Sequence, residues 1–211
     1  MSRVGVIDYG VGNLRSVTNA LKFIGNDAVV SDDAATLLSC DRIIFPGVGA
    51  FGYGMRALRA KGLDEVVLEA ANINKPVLGI CVGMQLLFEG SSEFGNHTGL
   101  GIVPGQIDIF GANTKEQKKL CLPNVSWLPI KKTNASSDLA SKLFEGTSDS
   151  SKFYFIHSYH AQANDPHTVA SAEYEGLPFA AVVAKGSVIA TQFHPEKSGP
   201  DGLKLLKNFV S

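Results

Sequence analysis

Short apolar runs alternate with helix-patterned segments through the first part of the chain. Val4 to Ile7 is an unbroken apolar run of strand length, and after it Leu14, Val17, Leu21 and Ile24 fall on one face of a helix. Ala28 to Val30 and Ile43 to Phe45 predict a second and third strand, residues 55 to 73 one or two helices, and Val77 to Ile80 a fourth strand. Continuous β-branched runs separated by helices predict an α/β fold, with a mostly parallel central sheet covered by helices on both faces. In such a sheet the site is expected at the carboxyl ends of the strands. From Leu100 onward the texture changes to Gly, Pro and β-rich sequence, an additional β-rich segment. Two polar stretches there, Asn113 to Lys119 and Thr133 to Ser151, read as exposed loops. Strands return at Phe153 to His157, Val169 to Glu173, Phe179 to Ala184 and Val188 to Phe193, and Gly202 to Val210 closes as a helix. At 211 residues the chain is read as one domain spanning 1–211.

The fourth strand runs into Gly79-Ile80-Cys81-Val82-Gly83. A cysteine with a glycine two residues before and two after matches the thiol form of a nucleophile elbow: small neighbours permit a strained turn that lifts the side chain clear of the backbone. A helix beginning at Val82 adds free amides that favour a thiolate and can hold an oxyanion. Free cysteines are usually buried as small hydrophobes, and Cys40 and Cys121 are read that way. Cys81 is set apart by its glycines and by the far end of the chain. There an apolar strand, Ser187 to Phe193, leads into His194-Pro195-Glu196. A His at a strand end supplies a base for the thiol, and a carboxylate two residues on can reach the other ring nitrogen and fix its tautomer.

Composition narrows the class further. Three cysteines form no even disulfide framework, the start Met-Ser-Arg-Val-Gly lacks the basic and apolar regions of a signal peptide, and no apolar run reaches membrane-span length. A cytoplasmic enzyme is expected. Its formal charge of -1, with signs mixed, offers no basic face for nucleic acid. The substrate is therefore expected to be small, and neither a metal nor a cofactor is implied. Gly47-Val48-Gly49-Ala50-Phe51-Gly52 does match the dinucleotide fingerprint, but it follows the third strand, and Asp64, the nearby acid, lies inside a predicted helix. A glycine-rich turn beside the elbow is better suited to presenting a backbone N–H to an oxyanion, or simply to making a tight strand-to-helix connection.

These segments together resemble the class I (triad) glutamine amidotransferases, and among them the glutaminase subunits of imidazole glycerol phosphate synthase. The likeness covers nearly the whole chain. It is carried by Asp8-Tyr9-Gly10-Val11-Gly12-Asn13, Pro46 to Phe51, Gly79 to Leu87, Gly99-Leu100-Gly101, Tyr154 to Tyr159 and Gln192 to Ser198. The resemblance implies that Cys81 attacks the glutamine carboxamide, that His194 shuttles the proton to the leaving ammonia, and that Glu196 orients the imidazole. It implies substrate or oxyanion contacts from Gly47, Val48, Gly49, Val82, Gln85, Ser158 and Tyr159. It also implies a heterodimeric partner, a (β/α)8-barrel cyclase that takes the ammonia to form imidazole glycerol phosphate and AICAR in histidine biosynthesis, contacted near Asn13, Trp127, Tyr154, His157 and Lys197. Tyr154 and His157 are equally readable as packed strand residues.

One segment departs from the pattern. Where the family usually carries P-H-x-G-W-N, this chain has Pro123-Asn124-Val125-Ser126-Trp127-Leu128. The retained Trp127 is expected to stack on Lys197 as a cation-π contact. The altered neighbours leave open a paralogous glutaminase feeding ammonia to the amidation of a surface-polysaccharide sugar. A non-catalytic module would have lost a triad member, and none is lost.

Overall fold

The computed structural model describes residues 2–112, 120–133, 138–148, 150–163 and 166–211. The expected loop at Asn113 to Lys119 lies outside the described residues.

The chain begins with β1 (Val4–Ile7), α1 (Leu14–Phe23), β2 (Val29–Ser31), α2 (Ala34–Leu38), β3 (Arg42–Gly47), α3 (Phe51–Ala60), α4 (Leu63–Asn72) and β4 (Val77–Cys81). Asn13 caps α1, its side chain accepting from Ser16 N, and Asp33 caps α2 by accepting from Thr36 N. The region read as one or two helices is two, broken at Gly62, which takes φ 65°. A single helical turn, α5 (Val82–Gln85), follows β4. Then come β5 (Phe88–Ser91), β6 (His97–Thr98), β7 (Val103–Ile109), β8 (Asn124–Pro129), β9 (Lys131–Lys132), α6 (Asp138–Leu143), β10 (Lys152–His157), β11 (Tyr159–His160), β12 (Thr168–Tyr174), β13 (Leu177–Lys185), β14 (Val188–Thr191) and α7 (Gly199–Val210).

Eight strands form the main sheet in the order β2-β1-β3-β4-β14-β13-β12-β9. The first five are parallel to their neighbours, and β13, β12 and β9 extend the sheet antiparallel. Helices connect the parallel strands from β1 to β4, while β14 joins them in parallel after the long excursion through β5 to β13. The chain steps outward from β1 to β2 and then back past β1 to β3. Right-handed crossovers thus place α1 on one face and α2, α3 and α4 on the other. The packing agrees: α2 and α3 touch α4, while α1 and α6 touch α7. The centre of the sheet is buried on both faces, since β4 and β14 have no exposed residue.

A ribbon of β8 and β10 and a four-stranded sheet, β11-β7-β5-β6, stand apart from the main sheet. Phe153, Phe155 and His157 of β10 face inward, with the Phe155 ring edge-on to Phe179 at 5.3 Å and to Phe193 at 5.5 Å. On the opposite face Val125, Trp127 and Ile156 stay exposed.

Three expectations are corrected. The stretch from Thr133 to Ser151 is not simply an exposed loop, because α6 forms inside it and buries Ala140 and Leu143. Its C-terminal carbonyls are capped from α7, where Asn208 Nδ2 donates to Leu143 O and Glu145 O at 3.0 and 2.9 Å. Cys121 is exposed rather than packed, while Cys40 is buried as expected. The strand read to Phe193 ends at Thr191.

Candidate active site

The position of Cys81 is set by two backbone approaches. Cys81 takes φ 54° and ψ -110°, a conformation that a side-chain-bearing residue holds only where its surroundings force it. Those surroundings are Gly79 and Gly83. A β-carbon on Gly83 would lie 1.9 Å from Phe45 O, and one on Gly79 would lie 2.9 Å from the Ala190 side chain. The elbow is thereby pressed against β3 on one side and β14 on the other. The helix behind it is a single turn, so its contribution is a few free amides rather than an extended dipole.

Because β14 pairs in parallel with β4, Thr191 opposite Ile80, the segment after β14 emerges beside the elbow. His194 and Glu196 sit there, with side chains 3% and 1% exposed. His194 Nδ1 lies 2.8 Å from Glu196 Oε1, which leaves Nε2 for the Cys81 sulfur. Burial alone would pull the imidazole below its usual range. Hydrogen bonds to Cys81 and Glu196, with the charges of both, outweigh this and push it up to about 10. An imidazole that keeps its proton at neutral pH can deliver it to a leaving group. Ser198 supports the arrangement from below: its Oγ donates to His194 O at 2.6 Å and accepts from Tyr154 N at 3.0 Å.

A cavity of about 290 Å³ opens onto Cys81 and His194. It is lined by Val48, Gly49, Cys81, Val82, Gln85, Ser158, Tyr159, His157, His194 and Lys197, all singled out from sequence. Gly47 lies just behind the wall: a β-carbon there would meet Gly83 N and the Tyr9 hydroxyl, each at 2.6 Å. Gly49 takes φ 86°. In the fingerprint-like segment Gly52 serves packing alone, since His97's ring occupies the space of its missing side chain.

Two residues not singled out from sequence also belong here. Glu93 brings a carboxylate to the cavity wall while accepting from Phe51 N at 2.6 Å. Gln192, fully buried, donates from Nε2 toward Cys81 Sγ at 3.8 Å and accepts from Gln85 Nε2 at 3.1 Å. Gln192 could have been suspected from its place two residues before His194; for Glu93, in Ser91-Ser92-Glu93-Phe94, no local signal exists.

The residues expected at a partner surface divide. Trp127 is half exposed, 5.9 Å between ring centroids from Tyr154. Lys197 Nζ lies 5.9 Å from the Tyr154 ring, so the cation-π contact expected on Trp127 falls on Tyr154 instead. Asn13 spends its side chain on the α1 cap. His157 is buried, and desolvation lowers its pKa to about 3, which keeps it neutral.

With this geometry in view, comparison with known proteins is decisive. The family model described as glutamine amidotransferase class-I matches residues 5–211. The chain belongs to the class I glutamine amidotransferases. Among similar relatives, the imidazole glycerol phosphate synthase subunit HisH of Sulfurimonas denitrificans is 41% identical, the match covering 98% of this chain and 97% of that protein. Subunit HisH 1 of Pseudomonas aeruginosa is 43% identical, covering 100% and 97%. Of solved structures, PurLQS from Thermotoga maritima superposes with TM-score 0.70 at 20% identity, covering 100% of this chain and 98% of that one. The glutaminase domain of Trypanosoma brucei CTPS gives 0.63 at 18%, covering 99% and 94%. At that identity the structures speak for the amidotransferase fold alone.

Proposed function

We propose that this amidotransferase is the glutaminase subunit of an imidazole glycerol phosphate synthase, hydrolysing glutamine to glutamate and ammonia for a cyclase partner in histidine biosynthesis. The observation that carries the chemistry is the meeting of Cys81 and His194 at the wall of one small cavity, with Glu196 behind them on the far nitrogen of the imidazole. The full-length likeness to HisH subunits carries the pathway, and it does not favour the sugar-amidation alternative.

In this reading the Cys81 sulfur forms a bond to the side-chain carboxamide carbon of glutamine, and the carbonyl π electrons move onto oxygen. The amide of Val82 and a peptide of the Gly47-Val48-Gly49 strand stabilise that oxyanion. Collapse breaks the C–N bond as His194 gives its proton to nitrogen, releasing ammonia and leaving a glutamyl thioester. His194, now neutral, takes a proton from water as the water attacks the thioester carbon; the adduct collapses by breaking its C–S bond, the electron pair returning to the Cys81 sulfur, so that glutamate leaves with the imidazole again protonated. Glu196 holds the ring throughout. Gln85 and the Ser158-Tyr159 backbone hold the substrate, and the Glu93 carboxylate is a counter-charge for its α-ammonium group.

Ammonia released to water is largely protonated and lost as a nucleophile, so the reaction needs a partner sealed over the cavity mouth. Ile156 and Pro123 line the cavity, and the exposed face of Val125, Trp127 and Ile156 continues outward from it. That apolar face, with Tyr154 and Lys197 beside it, is the surface assigned to a cyclase of (β/α)8-barrel type.

The test is ammonia release from glutamine by the chain alone and with a histidine-pathway cyclase carrying its nucleotide ligand. Stimulation in the mixture is expected; glutaminase activity that the cyclase cannot raise would overturn the histidine assignment. In the complex, Cys81→Ala should abolish glutamine hydrolysis while synthesis from added ammonium salt continues. Equal loss of both would contradict the nucleophile's role.

A further inference from the structure

A line of buried polar groups that the triad does not use runs from the β8–β10 ribbon to the cavity wall. Asn124 is fully buried and stands opposite His157 in the ribbon. Its Nδ2 lies 3.2 Å from His157 Nε2, and its Oδ1 accepts from Ser126 Oγ. His157 Nδ1 lies 2.9 Å from Tyr159 O, and the same carbonyl accepts from Gln85 Nε2 at 3.0 Å. Gln85 continues to Gln192 and Gln192 to the Cys81 sulfur.

Donor and acceptor capacity leaves one assignment. A carbonyl oxygen can only accept, so His157 must carry its proton on Nδ1 to serve Tyr159. Buried and neutral, His157 then presents Nε2 as a bare acceptor, which needs a donor. The Asn124 amide supplies it, and turning that way commits Oδ1 to the Ser126 hydroxyl. The opposite tautomer of His157 would set a bare Nδ1 against the Tyr159 carbonyl and an N–H against the Asn124 amide, and an inverted Asn124 would set its oxygen against the bare Nε2. Asn124 and Ser126 are also two of the positions at which this chain departs from the family's P-H-x-G-W-N segment. The departures are therefore a matched pair within one network.

We propose that Asn124, backed by Ser126, is a positioning residue for the substrate site: it holds His157 as the Nδ1–H tautomer, which anchors the Tyr159 carbonyl and, through it, the Gln85 side chain on the cavity wall. The substrate's identity rests on the glutaminase reading; the relay itself does not. A group that acts on the wall that grips ground-state substrate affects binding more than chemistry.

In the assembled complex, Asn124→Leu is expected to raise KM for glutamine about tenfold, the scale of one buried hydrogen bond lost, with kcat within about twofold. Asn124→His, which can return an N–H to the same space, should bring KM back to within about threefold of the parent. An unchanged KM in Asn124→Leu, a fall in kcat alone, or a His variant as impaired as the Leu variant would overturn the proposal. A second measurement needs neither the variants nor any glutaminase activity: 15N resonances of the His157 ring in the unaltered protein between about pH 5 and 8. Nδ1 protonated and Nε2 bare is the expected state; the opposite tautomer, or an imidazolium, would overturn the relay even if glutamine is hydrolysed. The expected tautomer in a chain without glutaminase activity would leave the relay standing and remove only the glutaminase reading.

Discussion

The Tyr9 hydroxyl is buried against Gly47, beside the nucleophile, with no hydrogen-bond partner among the described residues. Its pKa is raised, first by burial and then by the charge of Cys81, so it stays a neutral donor with nothing to donate to. An unmatched buried hydroxyl costs stability, and Tyr9→Phe should leave the fold unchanged or stabilise it by about 1 kcal/mol in denaturant titration. A loss of stability would mean that the hydroxyl has a partner in solution. At this scale the proposed triad is legible from sequence because its members are marked locally: glycines flank Cys81, and His194 and Glu196 sit two residues apart after a strand. Glu93 has no such mark, and Gln192 only its nearness to His194. Their roles come from contacts 42 and 111 residues distant along the chain, to Phe51 and to Cys81. Asn124 is legible only as a departure, and its meaning appears once His157 is seen opposite it.

Among the elements, those with continuous apolar runs are read correctly to within a few residues, since burial on both faces leaves little room for polar interruption. The ones missed are short and polar on one side. α6 hides in a Ser- and Asp-rich stretch because a six-residue helix needs only Ala140 and Leu143 to dock. Its packing on α7 and the carbonyl caps from Asn208 do the rest. Leu143→Ala should therefore cost about 2 to 5 kcal/mol, read by denaturant unfolding. A cost below about 0.5 kcal/mol, the range of surface substitutions, would show that α6 is not docked in solution. β8 is missed for a related reason: only Asn124, a polar residue, is fully enclosed along it, while Val125 and Trp127 are left outside. An inverted pattern of this kind belongs to a strand that keeps its apolar face for another surface, as the docking proposal requires.

For the molecule as a whole, two buried histidines oppose each other in pH dependence. His194 is held up to about 10 against 6.5 in the unfolded chain, so its contribution is fully present below 6.5 and is lost as pH rises through about 10. His157 is held down to about 3, so the unfolded state binds a proton that the native state refuses, and stability falls as pH drops from 6.5 toward 3. Each slope approaches about 1.4 kcal/mol per pH unit. The two together set a stability maximum near pH 6.5. Thermal melts across pH should show it, and Glu196→Gln, which removes one charge supporting His194, should flatten the alkaline side. An unaltered alkaline slope in that variant would show that Glu196 does not hold the imidazole's proton. The same architecture limits how the site can respond to a partner. Phe45 and Gly83 are seated backbone against backbone, Gly47 is wedged between Tyr9 and the elbow, and nothing crowds Gly49. Rotational freedom thus begins only beyond Gly47. In the proposed reading, where a peptide of the Gly47-Val48-Gly49 strand holds the oxyanion, any rearrangement there is confined to a peptide unit or two and leaves the helices, the sheet and Cys81, His194 and Glu196 where they are.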